Sequence, residues 1–317
     1  MRIRLLAFAG AFIVLAALFA FGDNYVLRLA TTVAMYITLA VAWNIVGGFA
    51  GYPSFATAAF FGLGAYAGGI IATAGLPMVL AWIAAGAVTA IFATLLGLAI
   101  LHLRGHYFAI GSLVVADVLR EVTNSWTALT GGGMGLNVPL AGGSPSQQAQ
   151  LFLVAMSVVA VLAVLASIAI DRARLGVALR CIEQNEDAAQ VIGVDTNRAK
   201  VTAFALSSLF IGAAGAIYAS WVSYIDPSDV YDISLSVKPI IMALLGGVGT
   251  IAGPVIGAFV FLALEELIWR NSLEFHAGFL GLLVVALVLF LPGGLGALRG
   301  RGVLAWIRTL GRTEKPR

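Results

Sequence analysis

Long apolar stretches alternate with short polar ones along nearly the whole chain, and the exception is an extended polar run at 171–200, DRARLGVALRCIEQNEDAAQVIGVDTNRAK. Crossing a bilayer as a helix takes about 20 predominantly apolar residues. Segments of that kind fall at about 5–21, 25–46, 54–73, 79–103, 106–121, 151–170, 201–224, 235–249, 252–269 and 276–291. They predict an all-α polytopic membrane protein with about ten transmembrane helices. Glycine and proline set the breaks, because both interrupt a helix. GGFAGYP ends the second segment, and TGGGMGLNVPLAGGSPSQQ lies at the centre of an irregular stretch at 122–150. The third segment carries a small-residue face of Gly62, Ala65, Gly68 and Gly69, of the sort that lets helices approach closely in lipid.

Within the polar run, the pattern predicts two short helices. In 176–184, Val177, Ala178, Cys181 and Ile182 share one face, with Arg180 and Glu183 turned away. Asn185 is placed to cap the next helix, and Glu186 and Asp187 stand in its first turn, where the helix dipole favours negative charge. Ala188, Ala189, Val191 and Ile192 continue it, Gly193 ends it in a left-handed conformation, and Asp195 or Thr196 caps the helix after it. On these residues alone, a solvated connecting loop is the other reading.

Composition removes the soluble classes. The chain is 61% hydrophobic and 10% charged, and its mean hydropathy is +1.01. A helical bundle of this kind reads as one domain over 1–317. Arg2 and Arg4 precede the first apolar segment as in a signal peptide, but no A-x-A site comes after it, so that segment is read as a retained span. The single cysteine, Cys181, excludes an internal disulfide. With the N-terminus in the cytoplasm, ten spans bring the C-terminus and its basic tail at 297–317 to the same side. All of the 18 basic residues except Arg28, Arg120, Lys238 and Arg270 then lie inside, as the positive-inside rule requires. Asp23, Asp226, Asp229 and Asp232 gather outside, and the polar run falls in the cytoplasm.

Catalytic chemistry is not written here. No G-x-x-x-x-G-K-[ST] motif exists for ATP, GVGTIA at 247–252 lacks the preceding strand of a dinucleotide site, and neither G-x-S-x-G nor H-E-x-x-H occurs. His102 and His106 are four apart but lack a third ligand, so they read as interfacial polar residues and no metal is expected. Nothing points to nucleic acid, and the chain does not read as an enzyme. Charges inside spans are costly. Asp117, Arg120 and Glu121 are spaced to share a helix face, and Glu265, Glu266 and Arg270 repeat the pattern. Either an outer vestibule or paired anchoring charges accounts for them.

The polar run resembles the cytoplasmic loop of the permease subunits of branched-chain amino-acid ABC importers. The family pattern appears here as Gly176, Ala178, Leu179, Arg180, Ile182, Asn185, Glu186, Ala188, Ala189 and Gly193 in order. AAFFGLGAY at 58–66, LRGHYFAI at 103–110, LTGG at 129–132 and LGGVGT with GPVIG at 245–257 match in the same order, so the resemblance covers most of the chain from Trp43 to Leu291. It implies a transmembrane subunit in the bacterial inner membrane that pairs with a second permease, two cytoplasmic ATPases and an extracytoplasmic binding protein. ATP and magnesium are then bound by the ATPases, with no cofactor in this chain. It also implies that Gly176, Arg180, Glu183, Asn185, Glu186, Ala188, Ala189 and Gly193 form the ATPase-coupling loop. Asn44, Ser54, Thr57, Asp117, Arg120, Glu121, Thr130, Gly131 and Gly132 are assigned to the solute path or its vestibule. Glu183 departs from the family's usual arginine, a charge reversal on the proposed docking face that bears on the partner ATPase. Tyr52, Pro53, Ala56 and Thr57 replace more polar residues, which leaves open urea, short amides, other amino acids or sugars as the solute. A self-sufficient ion-coupled secondary transporter and a membrane scaffold are the readings from other classes.

Overall fold

The computed structural model describes residues 23–271 together with residue 281. Apart from residue 281, the spans read at 5–21 and 276–291 and the tail at 297–317 lie outside the described residues. In chain order the helices are α1 (Asn24–Gly47), α2 (Thr57–Thr73), α3 (Met78–Ile100), α4 (His106–Ser125), α5 (Thr127–Thr130), α6 (Pro145–Arg172), α7 (Arg174–Gln184), α8 (Glu186–Val191), α9 (Thr196–Val222), α10 (Pro227–Val230), α11 (Ser234–Gly246) and α12 (Gly253–Asn271). Strands β1 (Leu136–Asn137) and β2 (Tyr224–Ile225) form one short antiparallel pair. The protein is a mostly helical, multi-pass membrane protein. Among the described residues α1, α3, α6 and α9 are each long and apolar enough to cross a membrane, and α2 is a shorter apolar helix.

The bundle is organised around α9 and α1. α9 runs along α2 and α3, and α1 packs against α6 on one side and α11 and α12 on another. Contact between α2 and α9 is made by glycines: a β-carbon on Gly64 would overlap the backbone of Gly212, and one on Gly215 would overlap the Phe61 carbonyl. Helices meet this closely only where side chains are absent, and in lipid such packing, rather than hydrophobicity, drives association. α3 and α6 complete the outside. Their exposed large residues are apolar, Val79, Leu80, Ile83, Val88, Ile91, Leu95 and Leu98 on α3 and Leu151, Val154, Val158, Val161, Leu162 and Leu165 on α6.

Three expectations change. The irregular stretch at 122–150 is shorter and more ordered, because α4 continues to Ser125 and α6 begins at Pro145. There Ser144 and Gln147 form a capping box that starts the helix ahead of its apolar part. The segment read at 235–249 ends at Gly246, and α11 at 1.5 Å per residue is about 20 Å long, short of the hydrocarbon core. Its first turn lies against the N-terminus of α2, where the Ser236 hydroxyl donates to the Phe55 carbonyl at 2.6 Å and accepts from Ala58 N–H at 2.9 Å. Finally, α7 buries Gly176, Leu179 and Ile182 and leaves Val177 61% exposed, so the expected face is rotated by part of a turn. Gly176 decides this: a β-carbon there would strike the Ile170 carbonyl, so the glycine sits flush against the end of α6.

Candidate functional site

The polar run folds into the two helices its capping residues specify. The Asn185 side chain accepts from Ala188 N–H at 3.0 Å to start α8, and Asp195 accepts from Arg198 N–H at 3.0 Å to start α9. Gly193, at φ +89°, takes the left-handed conformation that lets the chain reverse between them. α7 and α8 pack on each other and on the ends of α6 and α9, and form a capped knob at one end of the bundle. Ala189 is buried and Ala188 exposed. Val191 and Ile192 are 88% and 71% exposed and lie beside Gly193. Val177 is 61% exposed as well, so the knob carries apolar side chains that the bundle does not cover, among exposed polar ones.

Charged residues fasten the knob from beneath. Lys200, the fifth residue of α9 and 5% exposed, donates to Glu186 at 2.6 Å, to the Leu101 carbonyl at 2.8 Å and to the Tyr52 hydroxyl at 3.0 Å. Its ammonium also stands 4.6 Å from the centre of the Tyr52 ring. The Tyr52 hydroxyl donates to the other Glu186 oxygen. Arg104 forms a two-pronged pair with Asp187 at 2.8 and 3.2 Å and lies 3.7 Å from Glu186. Burial works to raise the Glu186 carboxyl, but bonds from Lys200 and Tyr52 and the charges of Lys200 and Arg104 outweigh it and hold the group below its ordinary value. The bond to Asp187 raises the Arg104 guanidinium in turn. Glu186 therefore faces into the bundle rather than lying on the knob's surface. Arg180 pairs with Asp171 and lies 5.5 Å over the Phe49 ring, and Glu183 packs against Gly51.

Residues assigned to the solute path divide into two groups. Asn44, 1% exposed, accepts from Gly249 N–H and donates to the Thr250 carbonyl, both at 2.9 Å, and so clamps the glycine-rich turn between α11 and α12. The Ser54 carbonyl accepts from the Trp43 indole at 2.7 Å, and Thr57 is buried at the start of α2. Thr130 donates to the carbonyls of Thr123 and Trp126 at 2.6 and 2.8 Å, and Gly131 and Gly132 both have positive φ, so LTGG is a self-bonded turn. These six are built into the framework. Asp117 and Arg120 are different: they pair at 3.1 Å on α4 while remaining 63% and 47% exposed, and Glu121 beside them is exposed too. α4 is fixed by a single stripe of Phe108, Ser112, Ala116 and Thr123, and its other face is open. A shallow concavity on that face is lined by Val118, Glu121, Val122, Ser125 and Trp126.

The second in-span charge group reaches residues of other helices. Glu265 pairs with Lys238 of α11 at 2.7 Å, and Glu266 accepts from the Tyr25 hydroxyl. The Arg270 side chain lies outside the described residues. Sequence reading placed Tyr52 with solute choice rather than with the loop, and gave Arg104 and Lys200 no role. The signal that could have found the cluster was Lys200 itself, a lysine carried near the start of an apolar helix, where a buried partner is required. Among the described residues no group of three or more His, Cys, Asp or Glu side chains could hold a metal ion.

The profile of a family described as the branched-chain amino acid transport system / permease component matches residues 25–290. The chain is 28% identical over 295 residues to the high-affinity branched-chain amino acid transport system permease protein LivM of Escherichia coli (strain K12), an overlap of 84% of this chain and 69% of that protein. It is 32% identical over 99 residues to the xylose transport system permease protein XylH of the same strain, covering 30% of this chain and 25% of XylH. To the autoinducer 2 import system permease protein LsrC of Enterobacter sp. (strain 638) it is 30% identical over 166 residues, 47% of this chain and 45% of LsrC. No solved structure matches the chain.

Proposed function

Since the chain belongs to the family of branched-chain amino acid transport system permease components, we propose that it is the membrane-spanning permease subunit of an ATP-driven ABC importer for branched-chain or related amino acids. The observation that carries this is the capped α7–α8 knob. Its helices are fixed by Asn185 and Asp195 and fastened by buried charges, and its free surface is apolar at Val177, Val191 and Ile192. A rigid element with uncovered apolar side chains is suited to receive a displacement from a docked partner, whereas a flexible loop would absorb it. Two ATPase subunits in the cytoplasm, which bind the ATP and magnesium, are that partner. The basic residues of the polar run support placing the knob in the cytoplasm of a bacterial inner-membrane protein with both termini inside.

The solute passes along the open face of α4, between this chain and a second permease, after delivery by an extracytoplasmic binding protein. Asp117, Arg120 and Glu121 support that assignment. At 1.5 Å per residue they lie about 16–22 Å along a helix from His106, well inside the hydrocarbon. The exposed large residues of α3 and α6 suit lipid, whereas exposed charges at this depth are costly against lipid and tolerable against water or protein. Asn44, Ser54, Thr57, Thr130, Gly131 and Gly132 serve this path as framework. The similarity to XylH and LsrC favours one second reading, a permease for sugars or other solutes.

Reconstitution in vesicles with its ATPases and binding protein tests the function. Uptake of leucine, isoleucine or valine that requires ATP and all partners is expected. Uptake by this chain alone, driven by an ion gradient, would assign it to the secondary transporters instead.

A further inference from the structure

Residues 51–55 between α1 and α2 have no regular secondary structure, yet both ends of this short strap are held by side chains. At the knob end, Tyr52 is 7% exposed, bridges Glu186 and Lys200, and packs edge-on against Phe108 at 5.2 Å. Gly51, at φ +71°, lies so close to Glu183 that a β-carbon there would meet its side chain at 3.1 Å. At the other end, Phe55 N–H donates to Ser112 of α4 at 2.9 Å, and Ser236 of α11 bridges the Phe55 carbonyl and Ala58 N–H. The strap thus joins the knob to the N-termini of α2 and α11 and to the packed stripe of α4 at Ser112. It is tied to α1 as well, through Tyr52 N–H to the Val46 carbonyl at 3.3 Å and the Trp43 indole to the Ser54 carbonyl at 2.7 Å, so it links four elements and the knob.

We propose that the strap at 51–55 carries movement of the α7–α8 knob to α2, α4 and α11, with the Tyr52 hydroxyl as its handle on Glu186 and Lys200. This rests on the permease function and names the route by which that function is coupled. Tyr52 is a positioning residue: it touches the knob and acts through the strap.

The test places one thiol on the strap, using Pro53→Cys, an exposed position, in a Cys181→Ser background. The chain is assembled with its ATPase subunits, and maleimide labelling is timed without nucleotide and after ATP with vanadate. With Tyr52 present the rate is expected to change by about fivefold, the size of one net hydrogen bond. With Tyr52→Phe, which keeps the ring against Phe108, the change is expected to shrink below about twofold while ATPase retention stays the same. Equal changes with and without the hydroxyl, or no change in either with ATPases retained, overturn the strap and leave the permease function standing. A chain that retains no ATPase overturns both.

Discussion

Glu186 and Lys200 are 14 residues apart in sequence and 2.6 Å apart in space, and both are nearly withdrawn from solvent, at 11% and 5% side-chain exposure. The pair joins the first turn of α8 to the N-terminal part of α9, and through Tyr52 and Leu101 it also reaches the segments just beyond α1 and α3. A knob fixed at this point cannot tilt independently of the bundle.

Removing one member should cost more than removing both. Glu186→Ala leaves the Lys200 ammonium buried beside Tyr52 without its counter-charge, a loss of about 3–5 kcal/mol for a pair of this kind. Adding Lys200→Met should return much of it, because two neutral groups leave no charge unpaired. Thermal unfolding of the two single variants and the double variant in detergent gives the coupling directly.

Acidity should act on this pair with a defined sign. The folded Glu186 carboxyl titrates below its ordinary value of 4.5, so its contribution is fully present above about pH 4.5 and is lost as pH falls through the lowered folded value. The stability gap between the wild type and Glu186→Gln should therefore be constant near neutrality and close under acid. Asp229 at the other end of the bundle has the opposite sign. Burial and then the Asp226 charge raise its carboxyl above 3.8, so its ionised form disfavours folding and Asp229→Asn should raise the melting temperature at pH 7.

Most of the fold is legible in the sequence because apolar length and glycine or proline breaks act locally. Segments read at 25–46, 79–103 and 201–224 became Asn24–Gly47, Met78–Ile100 and Thr196–Val222. The caps at Asn185 and Asp195 and the stop at Gly193 were equally readable, since each depends on neighbours within four residues. The face of α7 was not, because Gly176 against Ile170 decides which side is buried and composition does not report that contact. Nor was the inward turn of Glu186, which depends on Tyr52, 134 residues earlier in the chain. The bonds of Asn44 to two backbone groups of a turn 205 and 206 residues later were not readable either, because they too join distant parts of the chain.

Close packing of α2 on α9 should fail sharply with one added side chain. Gly64→Val places branched carbons where the Gly212 backbone already lies, and two helix backbones must separate to admit them. A loss of about 1–3 kcal/mol or more is expected, read as a lower melting temperature and a poor monodisperse yield. Gly193→Ala, with nothing within 4 Å of the added carbon, should cost only the strain of its positive φ.

Retention of ATPase subunits tests the central claim most directly. The tagged chain is co-expressed with its ATPases and purified beside a Val191→Asp/Ile192→Asp variant, whose changes fall on residues 88% and 71% exposed and so spare the core. The wild type is expected to carry the ATPases, and the variant to lose most of them with an unchanged melting temperature. A wild type that carries no ATPase yet still moves solute in vesicles would contradict the account.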